Sequence, residues 1–195
     1  MKIKQFHTLL AASILAASFC IVPSAAALAE ETELTTDEIT TVGEFTTEDV
    51  FGTSYTQELF EDYDLTLVNA FTTWCSPCVN EMPELEKLRQ YYEEKEIKFG
   101  IVAVVLDART ADGIDDTAVQ QAMLLSARSG AQFPFLIPDE EYLNGRLDGI
   151  ESVPESFFVD SEGNIVSDPY VGANTKDRWV AVVNQELEAL AENKE

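Results

Sequence analysis

Histidine and cysteine are scarce in this sequence, and their scarcity restricts the chemistry that the chain can perform. The 195 residues include one histidine, His7, and three cysteines. His7 and Cys20 lie in the first thirty residues, which have the features of a removable leader. The rest of the chain then has two cysteines and no histidine, which excludes a Ser–His or Cys–His catalytic pair and a histidine-ligated zinc or iron site. Two cysteines cannot complete a four-thiolate zinc site either, so we expect no metal and no cofactor.

Basic residues are also few. The chain has 12 lysines and arginines against 36 aspartates and glutamates, a formal net charge of −24. Binding to nucleic acid or to an anionic membrane surface needs basic patches, so this composition argues against both. With 46% hydrophobic and 10% aromatic residues, the chain still has enough apolar material for one packed domain of ordinary size.

The N-terminal segment, residues 1–29, is predicted to be a secretory signal peptide. Lys2 and Lys4 give it a positive start, and Ala27 and Ala29 place small residues where a signal peptidase cleaves. Between them, residues 9–22 form an uncharged run of 14 residues, shorter than the ~20 residues that span a bilayer as a helix. We therefore expect cleavage near Ala29 and a protein that works outside the cytoplasm. The alternative is that the segment is retained as a membrane anchor.

Beyond the signal peptide, residues 30–44 are predicted to be an acidic, disordered linker, and residues 45–195 a folded domain. The linker has no basic residue and no periodic apolar face, which is typical of a solvated segment. The alternative is an acidic docking tail.

Within the domain, predicted strands and helices alternate. Residues 45–47 and 54–56 are expected to form a small hairpin, and short apolar runs indicate buried strands at 65–71, 99–106 and 135–137. Helices are expected at 77–92, 115–128, 140–147 and 176–191, and a second hairpin at 156–160 and 164–171. This order predicts an α/β domain with three layers, in which helices flank a central mixed β-sheet.

The candidate site is a pair of cysteines, Cys75-Ser76-Pro77-Cys78, at the junction between the strand at 65–71 and the helix that follows. At a helix N-terminus the unpaired N–H groups and the helix dipole favour a thiolate at Cys75, and Pro77 suits the first turn. Cys78 lies three residues on, on the same face, so one sulfur can attack a substrate disulfide and the other can resolve the mixed disulfide. A structural disulfide is the alternative, although so short a loop constrains little of the unfolded chain. A c-type haem site would need histidine where Val79 stands.

These residues carry a resemblance to a known family. The segment from Phe71 to Pro83, with Trp74 before the cysteines, and the segment from Gly149 to Asp160 are similar to the TlpA/ResA-type extracytoplasmic thiol-disulfide oxidoreductases. The similarity covers roughly residues 45–192 and implies a thioredoxin-like fold and a redox-active Cys75–Cys78 disulfide. It also implies a cis peptide bond between Val153 and Pro154, next to Cys75, where the Val153 backbone would meet a substrate strand. The candidate substrate-binding residues are Trp74, Pro77, Val153, Pro154 and Glu155.

Comparison with the family draws attention to three further residues. Ordinary thioredoxins have a buried aspartate at the position of Asn69, which cannot exchange protons. In the ResA-type branch a glutamate three residues after the second cysteine is implicated near the site, and Glu81 matches it. We therefore predict that Glu81 accepts the proton of Cys78 during resolution, the alternative being a solvated helix glutamate. Glu155 stands where the family most often has threonine, and its negative charge is expected to disfavour the Cys75 thiolate.

The sequence thus predicts a protein-disulfide oxidoreductase outside the cytoplasm that reduces disulfides by dithiol exchange. The resemblance implies exported disulfide-containing proteins as substrates and a membrane electron donor of the CcdA/DsbD type. A thiol peroxidase of the same fold is one alternative, although such enzymes surround their cysteine with threonine and arginine and the first arginine here is Arg89. A non-enzymatic binding module with a structural disulfide is the other.

Overall fold

The computed structural model of the protein describes residues 39–141 and 143–192. The predicted signal peptide and residues 30–38 of the predicted linker lie outside the described residues. The strands are β1 (Thr46–Glu48), β2 (Ser54–Thr56), β3 (Leu65–Phe71), β4 (Phe99–Val105), β5 (Arg109–Thr110), β6 (Gly113–Ile114), β7 (Phe135–Leu136), β8 (Glu155–Asp160) and β9 (Tyr170–Val171). The α-helices are α1 (Ser76–Glu93), α2 (Asp116–Ser129) and α3 (Lys176–Glu192), and short 3₁₀ helices cover Gln57–Phe60 and Leu106–Ala108.

A five-stranded sheet in the order β7-β4-β3-β8-β9 forms the centre of the domain. β3 is parallel to β4 along its whole length, and β4 is parallel to β7. β8 is antiparallel to β3 and pairs with β9 on its other side. The predicted mixed sheet is therefore confirmed, and the strand predicted at 65–71 coincides with β3.

Both faces of the central strands are covered, which explains why β3 and β4 read as continuous apolar runs. Alternate residues, such as Leu67 and Ile101, belong to the core that α1, α2 and α3 share. Their neighbours Val68 and Val102 belong to a second core, which the N-terminal segment around Phe45 and the turns near residues 143–150 complete. The sheet is thus the middle of three layers, as predicted.

Local sequence signals account for the helix ends. Cys75 caps α1, with Pro77 in the first turn. Asp115 caps α2 by accepting hydrogen bonds from the backbone N–H groups of Thr117 and Ala118. Gly130 ends α2 in the left-handed region, at φ 72°, where glycine has no steric penalty. Among the residues that the structure describes, no helix is long and apolar enough to cross a membrane.

The helix predicted at 140–147 is wrong, because residues 140, 141 and 143–147 lie in turns. Leu143, Asn144 and Gly145 have φ angles of 52°, 56° and 83°, which a right-handed helix does not allow. The Asp139 carboxylate accepts a hydrogen bond from the Leu143 N–H, and Leu143 is buried in the second core. Tertiary packing and this side-chain hydrogen bond therefore override the weak helical pattern.

The final residues of the predicted linker contact the domain. Val42 is fully buried, and its N–H donates a 3.0 Å hydrogen bond to the carbonyl of Gly163. Thr41 forms a β-bridge with Asn164, and its hydroxyl also donates to the Gly163 carbonyl. Ordered contacts with the domain thus begin upstream of the boundary that the sequence predicts at residue 45.

Candidate redox site

The two cysteines lie where β3 ends and α1 begins, and they form a disulfide bond. Cys75 is 5% exposed and Cys78 is fully buried, so Cys75 is the more accessible of the two. The Cys78 N–H donates to the sulfur of Cys75 at 3.2 Å, which places that sulfur among the unpaired N–H groups at the helix N-terminus. These dipoles stabilise negative charge on Cys75 once the bond is reduced.

The loop before Cys75 is tied to the end of the neighbouring strand. The Asp107 carboxylate, just beyond β4, accepts hydrogen bonds from both the N–H and the hydroxyl of Thr73, at 3.0 and 2.6 Å. The Cys75 N–H donates to the Thr72 carbonyl at 3.2 Å. Trp74, between these anchors, is 73% exposed. The anchored loop therefore presents a large apolar side chain to solvent directly beside the dithiol.

The Val153–Pro154 peptide bond is cis, which confirms the expectation. The Val153 carbonyl oxygen lies 3.6 Å from the sulfur of Cys75, although 78 positions separate the two residues. On the other side, the Pro154 carbonyl accepts a 2.8 Å hydrogen bond from the Gly172 N–H next to β9. The segment before β8 is thus held against the dithiol, as the sequence predicts.

Glu81 is buried, with only 1% of its surface exposed, so the alternative of a solvated helix glutamate is wrong. Its Oε1 accepts hydrogen bonds from the Asn174 N–H at 2.7 Å and from the indole Nε1 of Trp179 at 2.9 Å. Its Oε2 accepts one from the Asn69 amide nitrogen at 3.2 Å, and the same nitrogen donates to the Ser156 hydroxyl at 2.9 Å. The carboxylate therefore joins α1 to β3, to α3 and to the loop before α3.

Two opposing effects act on this carboxylate. Burial raises the pKa of Glu81 above its ordinary value, and it outweighs the three hydrogen bonds, which lower the pKa. Glu81 follows Cys78 by three residues and so lies on the same face of α1, one turn further along. A buried carboxyl group with a raised pKa is suited to exchanging a proton with a neighbouring thiol.

Glu155 is paired with another residue. Its Oε1 accepts a 2.9 Å hydrogen bond from the Arg146 guanidinium, and both side chains are largely buried, at 14% exposure for Arg146 and 12% for Glu155. The guanidinium also lies over the Phe157 ring, 4.1 Å from its centroid. The sequence-based expectation that the Glu155 charge disfavours the Cys75 thiolate did not include this cationic partner, and the effect of Glu155 on Cys75 stays a prediction.

Five residues of this site have roles that the sequence alone did not indicate: Asp107, Arg146, Ser156, Asn174 and Trp179. Trp179 lies in the helix predicted at 176–191, and no local pattern links it to Glu81. Asp107 has a recognisable signal, since it is a polar residue at the carboxyl end of a buried parallel strand. In the described ranges, no group of three or more histidine, cysteine, aspartate or glutamate side chains is placed to hold a metal ion.

A cysteine pair at a helix N-terminus, a cis-proline beside it and a mixed sheet between two layers define a thioredoxin-fold protein with a disulfide-bonded cysteine pair. A model of the Redoxin family matches residues 40–187, and the chain belongs to that family.

Individual proteins show the same relationship. Thiol-disulfide oxidoreductase ResA of Bacillus thuringiensis (strain Al Hakam) is 32% identical over 111 residues, which is 57% of this chain and 57% of the relative. The thioredoxin-like protein YneN of Bacillus subtilis is 31% identical over 110 residues, 56% of this chain and 58% of the relative. The chain thus spans less than two thirds of the length of either relative.

Among solved structures, a putative thiol:disulfide interchange protein DsbE from Chlorobium tepidum has 25% sequence identity and a TM-score of 0.56. The match covers 79% of this chain and 97% of that one. This likeness confirms the thioredoxin-like fold predicted from the sequence.

Proposed function

We propose that this protein is a thiol-disulfide oxidoreductase that reduces disulfide bonds in exported proteins. The proposal rests mainly on one observation. The Cys75–Cys78 disulfide lies at the N-terminus of α1, with the Val153 carbonyl 3.6 Å from the Cys75 sulfur. The names of the relatives, ResA and DsbE, support the same activity.

In the proposed reaction the reduced protein supplies two electrons. The Cys75 thiolate attacks one sulfur of a substrate disulfide, which forms a mixed disulfide and releases the other substrate sulfur as a thiolate that takes up a proton from solvent. Cys78 then transfers its proton to Glu81 and attacks the sulfur of Cys75. The second substrate sulfur leaves as a thiolate, which takes the proton from Glu81, and the protein is left with the Cys75–Cys78 disulfide. A donor of two electrons and two protons must reduce this bond before the next cycle.

We assign the surface around the dithiol to substrate binding. Trp74 and Pro77 are exposed beside Cys75 and offer apolar contact area. We expect the backbone of Val153, next to Pro154, to pair with an extended substrate strand. Glu155 is at the start of β8, beside this segment, and its place in substrate binding stays a prediction.

The proposed location is outside the cytoplasm, after cleavage of the signal peptide near Ala29. Thiols in that compartment are not kept reduced by cytosolic systems, so a reductase there needs a separate source of electrons. We propose a membrane electron donor of the CcdA/DsbD type, on the strength of the family resemblance and of the relatives.

Reduction of insulin disulfides tests the activity. The wild type, supplied with a dithiol reductant, should accelerate the reaction, and Cys75→Ser should abolish the acceleration. Ser76→Ala is a matched control, because Ser76 is exposed between the two cysteines. Activity that survives in Cys75→Ser, or is absent from the wild type, would overturn the proposal.

Two further measurements separate the alternatives. A thiol peroxidase would consume hydrogen peroxide at the expense of the dithiol reductant and leave insulin unchanged. A binding module with a structural disulfide would do neither. The equilibrium of the Cys75–Cys78 pair with glutathione gives its reduction potential, and a potential close to that of strong disulfide-forming oxidants would contradict a reducing role.

A further inference from the structure

The Glu81 carboxylate is held by donors that come from distant parts of the chain. Asn69, 12 positions before it, donates from β3, and Trp179, 98 positions after it, donates from α3. Asn69 and Trp179 are both fully buried. Water is therefore excluded from two of the three hydrogen bonds on this group, which makes each of them stronger than a surface contact.

We propose that Asn69 and Trp179 are positioning residues, which hold the Glu81 carboxylate one helical turn from Cys78 so that it can take the thiol proton. The consequence of this inference for the reaction rests on the proposed function. Neither side chain exchanges protons, so neither residue type by itself indicates a role in the reaction.

The two residues act on Glu81 in different ways. The Trp179 indole has a donor and no acceptor, so it favours the ionised carboxylate alone. The Asn69 amide has both, and its Oδ1 is buried without a hydrogen-bond partner. When Glu81 gains a proton, rotation of this amide by half a turn lets Oδ1 accept from the Glu81 hydroxyl and from the Ser156 hydroxyl. Asn69 can thus hold Glu81 in either protonation state, which an aspartate at this position could not do without sharing the proton.

Other titratable groups near the network have partners of their own. On α1, Glu84 accepts a hydrogen bond from the Lys176 N–H. On α3, the Lys176 ammonium pairs with Asp177. The Tyr170 hydroxyl of β9 donates to Glu186, while the Tyr170 ring packs against Trp179. Around Glu81, Asn69 and Ser156 supply neutral groups from β3 and β8.

Trp179→Phe tests the proposal with an internal control. The change removes the donor to Oε1 and keeps an aromatic side chain in the core. Tyr92→Phe is the matched control, because Tyr92 is equally buried on α1 and its hydroxyl donates to Asn184 on α3, away from Glu81. Both variants lose hydrogen bonding between the same two helices, but only Trp179→Phe removes a bond to the carboxylate.

The measurement is a carbon-13 NMR titration of the glutamate carboxyl groups in the full chain. Trp179→Phe should move the Glu81 titration midpoint upward by about one pH unit, as expected for the loss of one hydrogen bond to a charged group. Tyr92→Phe should leave it in place. An unmoved or lowered midpoint in folded Trp179→Phe, or an equal shift in Tyr92→Phe, would overturn the inference.

A second pair of variants keeps the test decisive if Trp179→Phe does not fold. Asn69→Leu has a similar volume and suits a buried strand, and it should also raise the Glu81 midpoint. Asn69→Asp should raise it further, because two carboxyl groups at this distance cannot both ionise. The pH profile of insulin reduction should move in the same direction in each folded variant, and unchanged midpoints in both Asn69 variants would reject the proposal.

The NMR titration does not depend on turnover. Failure of the proposed function would therefore appear as a wild type that reduces no disulfide, whereas failure of this inference would appear as an unmoved Glu81 in an active protein.

Discussion

The Asp107 carboxylate accepts two hydrogen bonds from Thr73, one from the backbone N–H and one from the hydroxyl. Asp107 follows β4 and Thr73 follows β3, so the bonds join the carboxyl ends of two parallel strands. Because Cys75 is two residues after Thr73, this junction sets the path of the chain into the dithiol.

Asp107→Ala should make the chain between β3 and Cys75 less rigid. The Thr73 N–H would lose its partner, and we expect a loss of about 1–3 kcal/mol in the free energy of unfolding. We also expect slower insulin reduction, because Trp74 and Cys75 would lose their fixed position. Urea unfolding and the insulin assay measure the two effects, with Asp112→Ala in an exposed turn as the control. Equal behaviour of the two variants would contradict the role of Asp107.

The burial of Glu81 predicts an unusual dependence of stability on pH. Its pKa is raised in the native state, so between the ordinary value of 4.5 and the raised value the native protein holds a proton that the unfolded chain releases. The stability that Glu81 contributes is thus complete below pH 4.5 and is lost as the pH rises through the native value. Relative to Glu81→Gln, the wild type should become less stable as the pH rises in this window, as urea unfolding at a series of pH values will show.

Glu84, on the same helix, supplies a control of opposite sign. The hydrogen bond from the Lys176 N–H, helped by Lys87, lowers the pKa of Glu84. Its contribution to stability is therefore present above pH 4.5 and is lost as the pH falls. Slopes of the same sign for Glu81→Gln and Glu84→Gln would contradict the assigned environments.

The Arg146–Glu155 pair should show strong coupling in a double-mutant cycle. Either Glu155→Thr or Arg146→Met leaves one largely buried charge without its partner, which is costly, whereas the double variant removes both charges. We expect a coupling free energy of about 1–3 kcal/mol from urea unfolding of the four proteins. Additive effects of the two substitutions would show that the pair contributes little.

Substitution of Val42 tests where the ordered domain begins. Its side chain is fully buried, so Val42→Ala should lower the free energy of unfolding by about 1–3 kcal/mol. Glu44→Ala, at an exposed neighbour, should have almost no effect. Thermal unfolding of the two variants distinguishes them, and a neutral Val42→Ala would mean that this segment adds nothing to the fold.

The elements that the sequence predicts well are those in which local and tertiary preferences agree. β3 is apolar throughout because both of its faces are covered, and α2 has an aspartate cap and a glycine stop that can be read directly. The prediction of a helix at 140–147 is wrong for the opposite reason. Its leucines are spaced as in a helix, but burial of Leu143 in the second core holds the backbone in a left-handed conformation.

The same division applies to the site. The sequence alone determines the position of the dithiol at a strand–helix junction, the acidity of the chain and the lack of histidine outside the predicted signal peptide. Each of these features depends on residue identity and short-range order. Only the tertiary structure decided the surroundings of Glu81 and Glu155, which the sequence predicted to be a proton acceptor and a negative charge that disfavours the Cys75 thiolate. Glu81 meets Trp179 across 98 positions, and Glu155 meets Arg146 across a turn that no local pattern specifies. Burial and hydrogen bonding between distant segments set the charge state of a carboxyl group, and these contacts exist only once the chain has folded.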